Sequence, residues 1–313
     1  MKKEQRPKSE FQSLTSVHRA MGYPDPKHPL IALINGCIAR VETSAFEAPH
    51  VLYFYKISLK TPKSGQMRYG QHYYDFDNGG LFFAAPGQVV GPAGDSDDRE
   101  KIEASMNSRY TLLIHPDFFL GHPLAKKIRQ YGFFSYSVNE ALNLSDEEAA
   151  SITSVFKMIE TELSNRLDDF SEEVIISQIE LLMNFSNRFY KRQFITRKSE
   201  SHDLLEKLDE LLNGYFTDDK LVQQGVPTVA WLAQQLNFSP SYLSDMLRSL
   251  TGQNAQQHIH SHVIEKAKEV LSTTGLSVSE VAYSLGFEYS QSFNKLFKRK
   301  TNLSPLEFRE QFN

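Results

Sequence analysis

TVAWLAQQLNFSPSYLSDMLRSLTG, residues 228–252, returns as SVSEVAYSLGFEYSQSFNKLFKRKTN, residues 277–302. Val229, Leu232, Ala233, Leu236 and Phe238 of the first copy correspond to Val278, Val281, Ala282, Leu285 and Phe287 of the second, an offset of 49 residues. By the second half of each copy the offset is 50, where Leu243 and Leu247 correspond to Phe293 and Phe297, so the two turns differ by one residue. Val229, Leu232, Ala233 and Leu236 stand at i, i+3, i+4 and i+7, which gathers them into one buried stripe of a helix. Two helices joined by a tight turn and then repeated are the sequence form of a doubled helix-turn-helix.

Local chemistry marks where these helices begin and end. Ser277 and Glu280 have capping-box spacing, and Ser239 with Pro240 supplies an N-cap followed by proline at the first helical position, where its missing N–H is not needed. Gly252 closes the first unit with a residue tolerant of positive φ, and Asn302, the next best choice, stands there in the second. Between the copies, residues 254–273 place Ile259, Val263, Ile264, Ala267, Val270 and Leu271 at helical spacing. A helix of that length spans ~30 Å. Successive major-groove faces on one side of B-DNA are ~34 Å apart, so one chain can carry two recognition helices to adjacent grooves.

On these residues the stretch 228–309 resembles the DNA-binding domain of AraC-type bacterial transcription regulators: the repeated unit, EKAKEVL at 265–271, SVSEVAYSLGF at 277–287, SFNKLFKRK at 292–300 and the closing SPLEFR at 304–309. The resemblance implies that the second helix of each unit enters the major groove. The groove-facing residues are then Ser290, Gln291, Asn294 and Lys295 in the second unit and Ser241, Ser244 and Asp245 in the first, with Lys298 and Arg248 as adjoining cations. Gln and Asn pair bidentately with adenine, Lys reaches guanine, and Ser serves either. Three residues depart from the family pattern. Asp245 would repel phosphate unless it accepts from a cytosine amino group, Val263 stands where arginine is frequent, and Asn302 replaces glycine.

Charge bears on this reading. The chain is at formal net −4, and residues 201–313 hold ten Lys/Arg against thirteen Asp/Glu. A basic face is nevertheless formed locally by Lys295, Lys298, Arg299 and Lys300, with Arg248, His258, His260 and His262 near the first unit. Because phosphate attraction decays over ~8 Å at physiological salt, a local cluster acts while remote carboxylates are screened.

With 313 residues, 40% of them hydrophobic, the chain is expected to form about two domains with real cores. Its single cysteine, Cys37, rules out an intrachain disulfide and fits a reducing cytoplasm. The charged opening KKEQRPKSE precedes no apolar signal segment and no apolar run is long enough to span a bilayer, so a cytoplasmic protein without a membrane partner is expected.

The expected fold class is α+β. Residues 1–26 read as an arm, partly disordered, and 27–136 as β-rich, since VLYFYKISLK, LFFAA and YTLLIH are aromatic and β-branched runs cut by DNGG, APGQ and GPAGDSDD. A sandwich or barrel follows; the resemblance implies a cupin-like barrel serving as a regulatory domain. Residues 137–194 read as a helical pair for dimerisation, 195–204 as a basic, polar linker, and 205–313 as the all-α domain with two helix-turn-helix units.

A small-molecule-binding or enzymatic cupin whose C-terminal domain is incidental is the competing class. Cupin metal sites use closely spaced histidines, whereas His50, His72, His115 and His122 are scattered, so neither a metal nor another cofactor is expected, nor an enzyme. His72 and Tyr74 are the candidate effector contacts on the β-rich part. The expected partners are double-stranded DNA and a second copy of the chain, with RNA polymerase and a small-molecule effector as further partners allowed by the resemblance.

Two apolar rows mark the second of the two helices expected around 145–194. Ile175, Ile179, Leu182 and Phe189 form an inward stripe, while Ile176, Met183 and Tyr190 repeat every seven residues on a neighbouring face, and that second row is expected to be the dimer surface. Trp231, off the apolar stripe of its helix, is expected at a surface that docks the N-terminal part.

Overall fold

Short aromatic and β-branched runs between turn residues form the strands of the N-terminal unit. The computed structural model describes residues 9–36, 49–61, 66–69, 72–75, 79–92, 108–136, 140–166, 168–196, 198–217 and 225–312. The chain divides into two compact units, Met1–Gln193 and Phe194–Asn313.

In the first unit one sheet has the order β1 (Ser9–Phe11), β3 (His50–Leu52), β8 (Gln88–Pro92), β5 (Gln66–Tyr69), β6 (His72–Asp75). The other has the order β2 (Ile31–Asn35), β9 (Ser108–Ile114), β4 (Tyr55–Lys60), β7 (Gly80–Ala84). Leu52 and Val90 of the first sheet meet Ala32, Phe82 and Leu113 of the second in a shared apolar core. Among the described strands no pairing joins the two sheets, so the expected barrel is seen as two facing sheets. The outer edge of β7 is covered by a bridge to Leu142, whose carbonyl accepts from Leu81 N at 3.1 Å.

Residues 9–21, expected in a partly disordered arm, belong to this core. β1 pairs in parallel with β3, and Ser13 caps α1 (Leu14–Ala20) by accepting from Ser16 N at 3.2 Å. Leu14 and Val17, three residues apart, are buried with Phe11. Packing decides a helix of this length, since seven residues are too few to be stable alone.

After the short helix α2 (Leu124–Lys127), two long helices follow. α3 (Asp146–Ser164) opens with the capping box of Ser145 and Glu148 and packs on β2, with Phe156 stacked on Tyr110 at 5.4 Å and Glu160 accepting from Asn35 at 2.8 Å. α4 (Ser171–Thr196) corrects the expected dimer surface. Both of its apolar rows are buried within the chain: Ile176 is 3% exposed, Met183 0% and Tyr190 2%. Tyr190 lies flat against Phe133 at 5.7 Å and edge-on to Tyr136 at 5.1 Å, so the segment following α2 covers one of the residues that was expected to face a partner.

Among its described residues the second unit has helices joined by turns and no strand. α5 (Lys198–Thr217) begins two residues after α4 ends, so helix fills most of the stretch read as a linker; its Lys, Glu, Leu and Asp run contains no proline. Then come α6 (Val229–Gln235), α7 (Pro240–Thr251), α8 (Ala255–Thr273), α9 (Val278–Ser284), α10 (Ser290–Thr301) and α11 (Pro305–Arg309). SPLEFR has a structural account: Ser304 and Glu307 form a capping box for α11, and Arg309 Nε donates to the Leu271 carbonyl at 3.1 Å, closing the C-terminus of α8.

Candidate nucleic-acid interface

The two helix-turn-helix units are built on the same bonds. α6 and α9 bury Leu232 with Ala233 and Val281 with Ala282. The turns then fold back alike, with Phe238 N donating to Ala233 O at 2.9 Å and Phe287 N to Ala282 O at 3.0 Å. Ser239, directly after Phe238, is the N-cap of α7, whereas Glu288 intervenes before Tyr289, the N-cap of α10; Glu288 is the extra residue in the repeat.

Each unit needs a left-handed residue at its turn and another at its end, and the two units fill them in opposite order. Asn237 (φ 58°) and Gly252 (φ 78°) serve the first, Gly286 (φ 83°) and Asn302 (φ 62°) the second. Asn302 N donates to Lys298 O at 2.9 Å as Gly252 N does to Arg248 O at 3.0 Å, so asparagine keeps the same helix end. Glycine is required at Gly286 for a second reason. A Cβ there would stand 2.6 Å from the carbonyl carbon of Gly225, in the segment entering the first unit, and Gly225 O is itself held by the Tyr215 hydroxyl at 2.9 Å.

On α10, Phe293, Leu296 and Phe297 are buried, which turns Gln291, Asn294, Lys295 and Lys298 outward on one face, with Ser290 half-buried at its start. Arg299 and Lys300 extend the positive charge over the last turn, and no side chain caps the N-terminus at Tyr289. α7 buries Tyr242, Leu243, Met246 and Leu247, but its matching face is more enclosed: Ser241, Ser244 and Asp245 are half-buried. Arg248 donates to Asp245 Oδ1 at 3.2 Å, so the cation of this face is engaged by its own helix.

Burial disfavours the charged form of two of the three α8 histidines expected near the basic face, His258 and His260. Burial, and then His262, lower the pKa of His258, whose Nε2 lies 2.8 Å from the Thr251 hydroxyl. Burial, and then Arg299, lower that of His260. His262 faces Asp209 of α5 at 3.2 Å. Val263 is core, fully buried. α8 has 19 residues, or ~28 Å. Trp231 meets Tyr215 of α5 edge-on at 4.5 Å, so its ring packs inside its own unit.

His72 and Tyr74 fall on β6 opposite Tyr69 and Met67; their side chains lie outside the described residues, as does Cys37. The scattered histidines have local tasks: His115 and His122 accept from Asp117 N and Leu124 N, and His50 packs edge-on to Phe11. Among the described residues no group of three or more His, Cys, Asp or Glu is placed to hold a metal, and no helix is long and apolar enough to cross a membrane.

Residues 232–311 match a protein family described as a helix-turn-helix domain. The Arabinose operon regulatory protein of Salmonella typhimurium is 36% identical over 81 residues, 26% of this chain and 29% of that protein. Residues 232–311 thus form a helix-turn-helix domain similar to those of AraC-type regulators. The HTH-type transcriptional activator RhaS of Escherichia coli is 28% identical over 142 residues, 45% of this chain and 46% of that protein. The chain thus spans less than half the length of either relative. The C-terminal domain of AraT, a response regulator from Geobacillus stearothermophilus, is 27% identical over 34% of this chain and 84% of that one, with a TM-score of 0.31.

Proposed function

We propose that this protein is a sequence-specific, DNA-binding transcription regulator of the AraC type, with α10 and α7 entering successive major grooves. The observation that carries the reading is the outward row of Ser290, Gln291, Asn294, Lys295 and Lys298 opposite the buried Phe293, Leu296 and Phe297. That row holds the amide and ammonium donors that read base edges, beside cations that hold phosphates. Control through the N-terminal unit by a small-molecule effector with contacts at His72 and Tyr74, association of two copies, contact with RNA polymerase and a cytoplasmic location belong to the same proposal and rest on the family likeness.

The full chain, incubated with sheared genomic DNA and recovered at low and moderate salt, should enrich discrete fragments over random DNA. Affinity for them should fall with a log–log salt slope of about −0.9 per phosphate contacted. Recovery without any enriched fragment would overturn the reading.

A further inference from the structure

In the first unit, α1 and the turn after it stand off from β2 and the end of α3 and leave a cleft of about 300 Å³. Its walls include Pro24, Pro26, Ile31, Ile34 and Leu163. His18 and Tyr23 also line it, and each brings a buried polar atom without a hydrogen-bond partner: His18 Nε2 and the Tyr23 hydroxyl. Such atoms are rare in folded proteins, because leaving one unpaired forfeits its hydration.

Their hydrogen-bonding roles are fixed by the surroundings. His18 Nδ1 lies 2.8 Å from the Pro24 carbonyl, which only accepts, so Nδ1 carries the proton and in the neutral ring Nε2 presents a lone pair. Burial raises the pKa of Tyr23, whose hydroxyl therefore keeps its proton and can donate. The charged groups of the cleft are already engaged. Asp25 pairs with Arg19 at 2.8 Å, Lys27 donates to Ser164 O at 2.9 Å, and Glu160 accepts from Asn35 at 2.8 Å and Tyr110 at 3.4 Å.

We infer that this cleft is a binding site for a small, uncharged, largely apolar molecule bearing a hydroxyl, which donates to His18 Nε2 and accepts from the Tyr23 hydroxyl. The apolar walls take a ring or short hydrocarbon body, and the two unpartnered atoms, a neutral acceptor beside a neutral donor, match a hydroxyl rather than an ionic group. The volume is at the lower end of ligand pockets, where a single ring fits. The site is distinct from the β6 positions His72 and Tyr74.

Benzyl alcohol and benzyl methyl ether distinguish the roles, since the ether keeps the acceptor and lacks the donor. Titrated against the full chain without DNA and followed by saturation-transfer NMR, benzyl alcohol should bind saturably. The ether should bind about threefold to tenfold more weakly, the loss of one hydrogen bond. His18→Phe and Tyr23→Phe, checked for folding by circular dichroism, should each weaken the alcohol by a similar factor. The inference is overturned if the alcohol does not saturate, if alcohol and ether bind the unaltered chain equally, or if both folded variants bind the alcohol as the parent does. Because DNA is absent, neither result depends on the regulator reading.

Discussion

The two helix-turn-helix units share a core and a turn geometry but present different outer faces. α10 shows Gln291, Asn294, Lys295 and Lys298 to solvent and ends in three consecutive cations. α7 offers two half-buried serines, Asp245, and an arginine held by that carboxylate. Duplication of a fold therefore need not duplicate its reading. The apolar stripe is copied because each unit must fold, while the opposite face is constrained only by what it touches. On this view the second unit supplies most base discrimination, and the first supplies placement.

The largest expected effect concerns the turns. Gly286→Ala should destabilise the second unit by about 3 kcal/mol, combining a positive φ with a backbone clash, whereas Gly252→Ala, which has open space around its Cβ position, should lose only about 1 kcal/mol. Equal losses in urea unfolding would show that the contact with Gly225 is unimportant. Next, Lys295→Ala and Gln291→Ala should each weaken specific binding by about 1–3 kcal/mol while altering non-specific affinity less. Ser244→Ala should change it by under about 0.5 kcal/mol, within the usual range for a surface change. Comparable effects in fluorescence anisotropy would abolish the proposed difference between the units.

Asp245→Asn tests that difference from the other side. It removes a carboxylate from the groove face and releases Arg248, so non-specific affinity should rise and the salt slope should steepen by about 0.9 if Arg248 takes a phosphate. An unchanged slope would mean that α7 does not lie against the backbone. The smallest effect is expected from Asn302→Gly and Asn237→Gly, each stabilising by up to about 0.5 kcal/mol through relief of the left-handed conformation. A loss of DNA affinity in either would give these asparagines a second role at the interface.

What could be read in the sequence was what short-range chemistry decides. The stripes of α6 and α9, the capping box at Ser277, the Ser239–Pro240 start of α7 and the extra residue in the second turn all lie within a few residues of their partners. The face of α10 follows from Phe293 and Phe297 alone. The failures came where distant chain supplies the partner. Met183 and Tyr190 look unpartnered along their helix, yet residues near 133 and 136 cover Tyr190. Phe11, Leu14 and Val17 sit in a segment too short to announce itself, and Trp231 found its neighbour sixteen positions upstream, at Tyr215. Likewise, nothing in the order of His18, Tyr23 and Leu163 suggests that they line one cleft.

The seating of Gly225 on Gly286 sets the portability of the reading domain. Both copies of the repeat and the whole family match lie downstream of residue 227, yet the turn of the second copy is completed by chain that precedes the first, and that chain is fastened by Tyr215 of α5. A graft beginning at the repeat would carry every base-reading side chain and still arrive with one turn uncovered. The transplantable piece starts at α5.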